Sequence, residues 1–389
     1  MIGMKIAFAR FGAPVEFNLS TGSISMLGTE IRSGLLHDWL EQGHEVNIVS
    51  EIKKSDKELM KTSGFLMDDN WFSKLKNDRS KLNESDVLVI ENGATNTMFS
   101  GSEGNYIDQN FKLMSEFNGR IIYYQHGHLE FPFSRFNPED TWENVKDLND
   151  NNMRKLFVKY FGTKEKLLDK DIFILHHFQN VDAFPKEFKY EKYGDKISYK
   201  YMCLGYSDID PRFEPKEKPD YDLVWIGGEN DSNKGGGTKA NSRASMIEKF
   251  FSNVPYSTAV IGRWKDETKA RIKANWLGAL GKHGDAYKYF NNGLCTFWGG
   301  SESTKHLGLI PTRPIMALRS GSLVIAEKDM YGVENLIDER LLVSNSSEVE
   351  TALKWVRGLS ISERKELCEK QLKNFPKWSE KNWEEILLE

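Results

Sequence analysis

The sequence predicts an α/β protein built from two doubly wound, parallel-sheet domains in tandem, facing each other across a cleft. Three observations lead there. Apolar, strand-like runs alternate with helix-patterned stretches through the first half of the chain. The alternation stops at DIDPRFEPKEKPDY (208–221), a proline- and charge-rich stretch without periodicity that reads as a linker, and then starts again. The 389 residues also exceed the ~250–300 at which one hydrophobic core usually stops growing.

In chain order, KIAFAR (5–10) is a buried-type strand ending at Gly12. A polar, glycine-bearing loop follows. EIRSGLLHDWLEQ (30–42) carries Ile31, Leu35, Leu36, Trp39 and Leu40 at helical spacing, and Gly43 is placed to end that helix. HEVNIVS, DVLVIEN (86–92), GRIIYYQHG (119–127) and DIFILHHF (171–178) are the further strands of the first unit. After the linker come DLVWIGG (222–228), a helix over NSRASMIEKFFSNV, and the strands YSTAVIG (256–262) and GLCTFWGG (293–300). A helix at 311–319 and SLVIAE (322–327) complete the second unit. The tail FPKWSEKNWEEILLE reads as a helix that packs back across the first unit. The predicted division is 1–205, 206–370 and 371–389, with the boundary between 203 and 222.

Composition narrows the function class. Hydrophobic residues make up 39% of the chain and aromatics 12%, which suits packed cores and excludes disorder. Cys203, Cys295 and Cys368 are scattered and lack CxxC spacing, which excludes a disulfide scaffold or a cysteine zinc site. No run reaches the ~18–20 apolar residues of a membrane span, and the start has no signal-peptide layout. A soluble, monomeric, cytoplasmic protein without membrane contact is expected. Net charge is −4, from 53 basic and 57 acidic residues. That lowers the expectation of nucleic-acid binding without removing it, because a cleft can be basic on an acidic molecule.

Two constellations carry chemistry. In GGENDSNKGGG (227–237) a glycine-rich loop leaves a strand and precedes a helix, where backbone N–H groups and the helix dipole favour a phosphate. It matches neither a dinucleotide fingerprint nor a Walker loop. Arg243, one turn further, and Arg313, opening the last predicted helix of the second unit, can each grip a diphosphate with a planar fork of donors. Gly12, Gly227, Gly228, Gly262 and Arg263 close strands at the ligand ends of the two sheets and are assigned to donor binding. The second constellation is His126 and His128, one residue apart where a buried strand runs out. An imidazole can take a proton from a hydroxyl near neutral pH, and i, i+2 spacing points both side chains to one face. Glu130 is the only other obvious ligand nearby, so a metal site is not assigned. His176 and His177, at another strand end, read as structural, and His37 and His44 as ordinary.

Taken together, KIAFARFG, LEQGHEVNIVS, IIYYQHGHLEFPFS, DLVWIGG…SRASMIEKF and LIPTRPIMALRSGSLVIAEKD resemble, in order and over nearly the whole chain, the bacteriophage DNA glucosyltransferases. The resemblance implies the GT-B fold of two Rossmann-like domains. It implies transfer of glucose from UDP-glucose to hydroxymethylcytosine in double-stranded DNA, with a divalent cation (Mg or Mn) as a possible assistant. YYQHGHLEFPF is similar to the β-enzyme's segment bearing its catalytic Asp, which falls on His128, and to the α-enzyme's Tyr-Gln-His-Asp-His, whose Asp is replaced by Gly127. The family carboxylate is therefore missing, and His128, His126 or Glu130 takes its place as candidate base; the anomeric outcome stays open. Arg243 and Arg313 match diphosphate-binding arginines of the family. Met316 stands where the family has a Glu that holds the donor ribose, and a methionine cannot accept those hydrogen bonds.

Three functions compete at this point. The first is glycosyl transfer to a hydroxymethylated pyrimidine flipped out of phage DNA. The second keeps the fold but takes a glycan, protein or lipid-carrier acceptor, and the third is a non-catalytic nucleotide-sugar binder.

Overall fold

The computed structural model describes residues 3–11, 16–18, 23–25, 31–50, 74–92, 112–125, 139–141, 143, 146, 166–167, 169–229, 243–252, 254–280 and 285–389. Two six-stranded sheets organise them, and every pairing within both is parallel.

The first sheet contains β1 (Lys5–Phe11), β4 (Glu45–Ile48), β5 (Val87–Asn92), β6 (Arg120–Gln125), β7 (Ile172–His176) and β8 (Ile197–Tyr201), in the spatial order β4-β1-β5-β6-β7-β8. A short antiparallel ribbon of β2 (Glu16–Asn18) and β3 (Ser23–Ser25) follows β1. The second sheet contains β9 (Tyr221–Ile226), β10 (Thr258–Ile261), β11 (Asn275–Trp276), β12 (Gly293–Trp298), β13 (Leu323–Glu327) and β14 (Leu342–Val343), in the order β11-β10-β9-β12-β13-β14. The order reverses between β9 and β12, and the carboxyl ends at such a reversal are where doubly wound sheets bind ligands.

Why these residues form parallel strands is clear from burial. IFILH of β7 and GLCTFW of β12 are buried at every position, as a sheet covered on both faces requires. The covering helices are α1 (Ile31–Glu41), α2 (Arg243–Phe251), α3 (Asp266–Arg271), α4 (Asp285–Asn291), α5 (Glu302–Leu307), α6 (Thr312–Arg319), α7 (Ser346–Arg357), α8 (Ile361–Leu372) and α9 (Trp383–Leu388). Gly43 ends α1 at φ +86°, the left-handed conformation that glycine adopts at least cost. Helix α8 opens on a capping box formed by Ser360 and Glu363.

The stretch between the sheets is pinned rather than loose. Arg319 of α6 stacks on Tyr206 and donates to the backbone carbonyls of Asp208, Asp210 and Pro211. The C-terminal segment runs alongside it. Tyr206 N donates to Pro376 O at 3.1 Å, and Trp378 N to Tyr206 O at 2.8 Å. Trp383 then meets Trp39 of α1 edge-on at 5.4 Å, so the tail is held against the first layer by buried indoles. Among the described residues no helix is long and apolar enough to cross a membrane.

Candidate donor site at the end of β9

The second sheet brings most of the donor residues named from sequence to one edge. β9 and β10 leave the sheet side by side through Gly227–Gly228 and Gly262–Arg263. Gly227 N donates to Ile261 O at 2.8 Å, and Glu229 N to Arg263 O at 2.8 Å. The two turns interlock so closely that a Cβ on Gly262 would stand 2.3 Å from Gly227 O. Trp264 fixes the same carbonyl by donating Nε1 to it at 2.8 Å. Glu229 turns inward to accept from Lys265 N and Thr268 Oγ1, which starts α3.

Two arginines converge on this turn from different helices. Arg243, the first residue of α2, donates Nη1 to Gly228 O at 3.0 Å. Arg313, in the first turn of α6, donates Nη1 to Ile226 O at 2.9 Å and lays its guanidinium 4.5 Å above the Trp225 ring. Proline at 311 fixes the entry to α6, and Pro314 occupies its first turn, where a missing N–H costs nothing. Among the described residues neither arginine has a carboxylate partner. Burial lowers the pKa of Arg243; burial and then the charge of Arg243 lower that of Arg313, to about 9. The Nε1 of Trp225, fully buried beside Gly227, has no acceptor among the described residues either. Donors and positive charge are gathered here without a counter-charge among the described residues, an arrangement suited to an anion.

Arg263 is exposed and contributes its backbone to the turn. Met316 is buried in the core beneath α6, and its carbonyl serves Ser320. Gly12, His126, His128 and Glu130 lie outside the described residues. The strand that delivers the two histidines is in place up to Gln125, at the carboxyl edge of the first sheet. Next to it, His177 accepts from Tyr124 Oη at Nε2 (2.8 Å) and donates Nδ1 to Met202 O (2.6 Å); with Nδ1 committed to a carbonyl, this tautomer follows. His176 stacks on Phe184 at 3.6 Å, and burial drives its pKa down to about 3. Both rings serve the framework.

Two residues that shape the site were not singled out from sequence. Trp225 and Trp264 look like ordinary core aromatics in DLVWIGG and GRW, yet one backs Arg313 and the other locks Gly227. No group of three or more His, Cys, Asp or Glu side chains placed to hold a metal ion occurs among the described residues.

No protein-family model matches this chain, and no curated protein matches it in sequence. Solved structures do match over its whole length. T4 phage BGT in complex with its UDP-glucose substrate has a TM-score of 0.66 at 15% identity, over 99% of each chain. T4 phage BGT with UDP and Mn2+ gives 0.65 at 16% over 99% of each. An alpha-glucosyltransferase solved with UDP and a 13-mer DNA containing an HMU base gives 0.59 at 13% over 100% of each. The fold is therefore GT-B, two parallel doubly wound sheets with flanking helices. It is more particularly the arrangement seen in the phage DNA glucosyltransferases.

Proposed function

We propose that this chain is a nucleotide-sugar-dependent glycosyltransferase that moves a sugar, glucose in the first instance, from a UDP-sugar to the hydroxymethyl group of a modified pyrimidine in double-stranded DNA. The observation that carries the reading is the pair of guanidiniums, Arg243 and Arg313, at the reversal point of the second sheet, without carboxylate partners among the described residues. A diphosphate supplies the charge they lack, and Gly227, Gly228 and Gly262 let the two turns that carry the site pack against each other.

In this reading residues 1–205 form the acceptor-side domain, 206–370 the donor domain and 371–389 the returning tail, in a cytoplasmic monomer. The acceptor hydroxyl loses its proton to a base from the His126/His128 pair, or to Glu130. A bond forms between that oxygen and the anomeric carbon as the bond from carbon to diphosphate breaks. The leaving diphosphate takes the electron pair and is held by Arg243 and Arg313. Met316, buried in the core, takes no part in holding the donor in this reading. A divalent cation, Mg or Mn, would supply further neutralisation of the diphosphate charge; no residue of this chain is assigned to hold it. DNA as acceptor rests on the resemblance of residues 121–133 and on the likeness to a structure solved with UDP and DNA.

The test is an assay of duplexes carrying hydroxymethylated or unmodified pyrimidines with several UDP-sugars, read by nucleoside mass. Hexose added only to the hydroxymethylated duplex is expected. UDP binding without transfer to either duplex would sink the DNA acceptor, and would favour the glycan, protein or lipid-carrier acceptor that the near-neutral net charge of −4 also suits.

A further inference from the structure

Away from the donor turn, a second contact joins the carboxyl edges of the two sheets. The segment after β7 pairs with the segment between α5 and α6 through an antiparallel bridge, Phe178 to Leu309. Gln179 N donates to Gly308 O at 3.2 Å, Asn180 N to Leu307 O at 3.1 Å, and Ile310 N to His177 O at 3.5 Å. Asn180 adds a bond from Nδ2 to His306 O at 3.0 Å.

Gln179 sits in a socket shaped for it. Its Nε2 donates to Tyr331 O at 3.0 Å, in the loop after β13. Gly332 has φ +76°, and a Cβ there would lie 2.5 Å from Gln179 Oε1. Gly308 has φ +63°, and a Cβ there would lie 2.6 Å from Tyr331 O and 3.1 Å from the Gln179 Cβ. Two left-handed glycines thus make room for one side chain. The socket is braced from below. Lys305 O accepts from Tyr331 N, and Lys305 Nζ meets the buried carboxylate of Glu327 at 3.1 Å. Burial pushes the Lys305 ammonium down, but its bonds and charge pairing with Glu302 and Glu327 outweigh that and keep it protonated.

The position of this socket gives it a consequence for the reaction. Gly308 is five residues before Arg313, in the lead-in to α6. On the other side, His176 is in register with Gln125, the last residue of β6, after which the chain continues to His126. The contact therefore connects, through β7, the strand that leads to the candidate base and the helix that carries the diphosphate arginine. We propose that Gln179 is a positioning residue, a latch that fixes the donor-side arginine helix relative to the base-bearing strand. The inference rests on reading the β9 edge as the donor pocket. Misplacing reacting groups by about an ångström can cost about a hundredfold in rate, whereas diphosphate affinity depends on groups within the second sheet alone.

The experiment compares Gln179→Ala and Gln179→Glu with the parent by UDP calorimetry, steady-state transfer kinetics and hydrogen exchange of residues 306–310 and 328–332. Gln179→Glu keeps the shape but presents an oxygen to Tyr331 O, so a space-filling role would survive it and a latch would not. The expected result is a kcat about 10- to 100-fold lower in both variants, UDP affinity and KM for the donor unchanged, and faster exchange in the two segments. A normal kcat in both, or full rescue by Gln179→Glu, overturns the latch. So does unchanged exchange. Loss of UDP affinity in step with kcat also overturns it, by placing Gln179 in donor binding. A parent that binds no UDP fails differently, overturning the donor reading and the positioning role with it. If Gln179→Ala does not fold, Gln179→Glu alone decides.

Discussion

Arg313 rests its guanidinium 4.5 Å above the indole of Trp225 while its Nη1 holds the carbonyl of the next residue, Ile226. The stack fixes the plane of the fork, and the hydrogen bond fixes its rotation. The remaining donors of the fork carry a charge that no carboxylate among the described residues balances. Replacing Arg313 by Ala should weaken UDP binding by about ten- to a hundredfold, the ~1.5–3 kcal/mol of one charged contact. Arg313→Lys keeps a charge but loses the planar stack and the fork, so it should fall between parent and Ala. Calorimetry reads both. An Ala variant that binds UDP like the parent would remove Arg313 from the phosphate site.

Gly262 offers a test of the turn itself. A methyl group there must displace Gly227 O from 2.3 Å, at φ +151°, so both turns have to move. Gly262→Ala should lower stability by on the order of 1–3 kcal/mol, a strain typical of overpacking, and should weaken UDP binding as well. Urea titration and calorimetry would show both; a variant with parental midpoint and affinity would mean that the interlock does not govern the site.

The legible and illegible parts of this molecule divide along physical lines. β7 and β12 announce themselves because strands buried on both faces must be continuously apolar. β8 does not, since as an edge strand it buries Ile197 and leaves Ser198, Tyr199 and Lys200 exposed. β11 and β14 are only two residues long, too short to carry a period. Arg243 and Arg313 were readable because a cation at a helix start opposes the dipole and needs a reason to be there. The indoles of Trp225 and Trp264 were not, because a core tryptophan and a site tryptophan have the same local pattern. The Gln179 socket was beyond sequence reading altogether, since its hydrogen-bond partner Tyr331 lies 152 residues away.

The base is the part of the site that rests on sequence. A positioned base contributes about 10²–10⁴ in rate, so His128→Ala should cut turnover by that much while leaving UDP affinity intact. His126→Ala should do less. Rate losses under about tenfold in both, with normal folding, would move the role to Glu130 or elsewhere.

His176 predicts a pH response of the fold. Its pKa is about 3 in the folded protein against an ordinary 6.5, chiefly because the ring is buried. Between those values the unfolded chain takes up a proton that the folded chain refuses. Its contribution to stability is therefore complete above pH 6.5 and is lost as pH falls from 6.5 towards about 3, by at most ~1.4 kcal/mol per unit. His176→Phe keeps the stack on Phe184 and should flatten this slope, with a pH-independent offset of ~1 kcal/mol from the lost acceptor for Phe178 N. Urea midpoints at pH 7 and pH 5 would check it; an equal slope in parent and variant would place the acid sensitivity elsewhere.

The chain leaves the first sheet through Tyr206 and comes back to it through Lys377, and the two passages are bridged to one another in parallel. A single passage would act as a swivel, free to turn in any direction. Two that are hydrogen-bonded together act as a pair of pins and resist torsion about either one. The close fit at Gly205, where a Cβ would meet Pro376 O at 2.6 Å, leaves no slack between the pins. With the Phe178–Leu309 bridge at the other end, the two sheets are tied together at two separate places along the chain. A change at either tie is therefore carried to the other through the body of the second sheet.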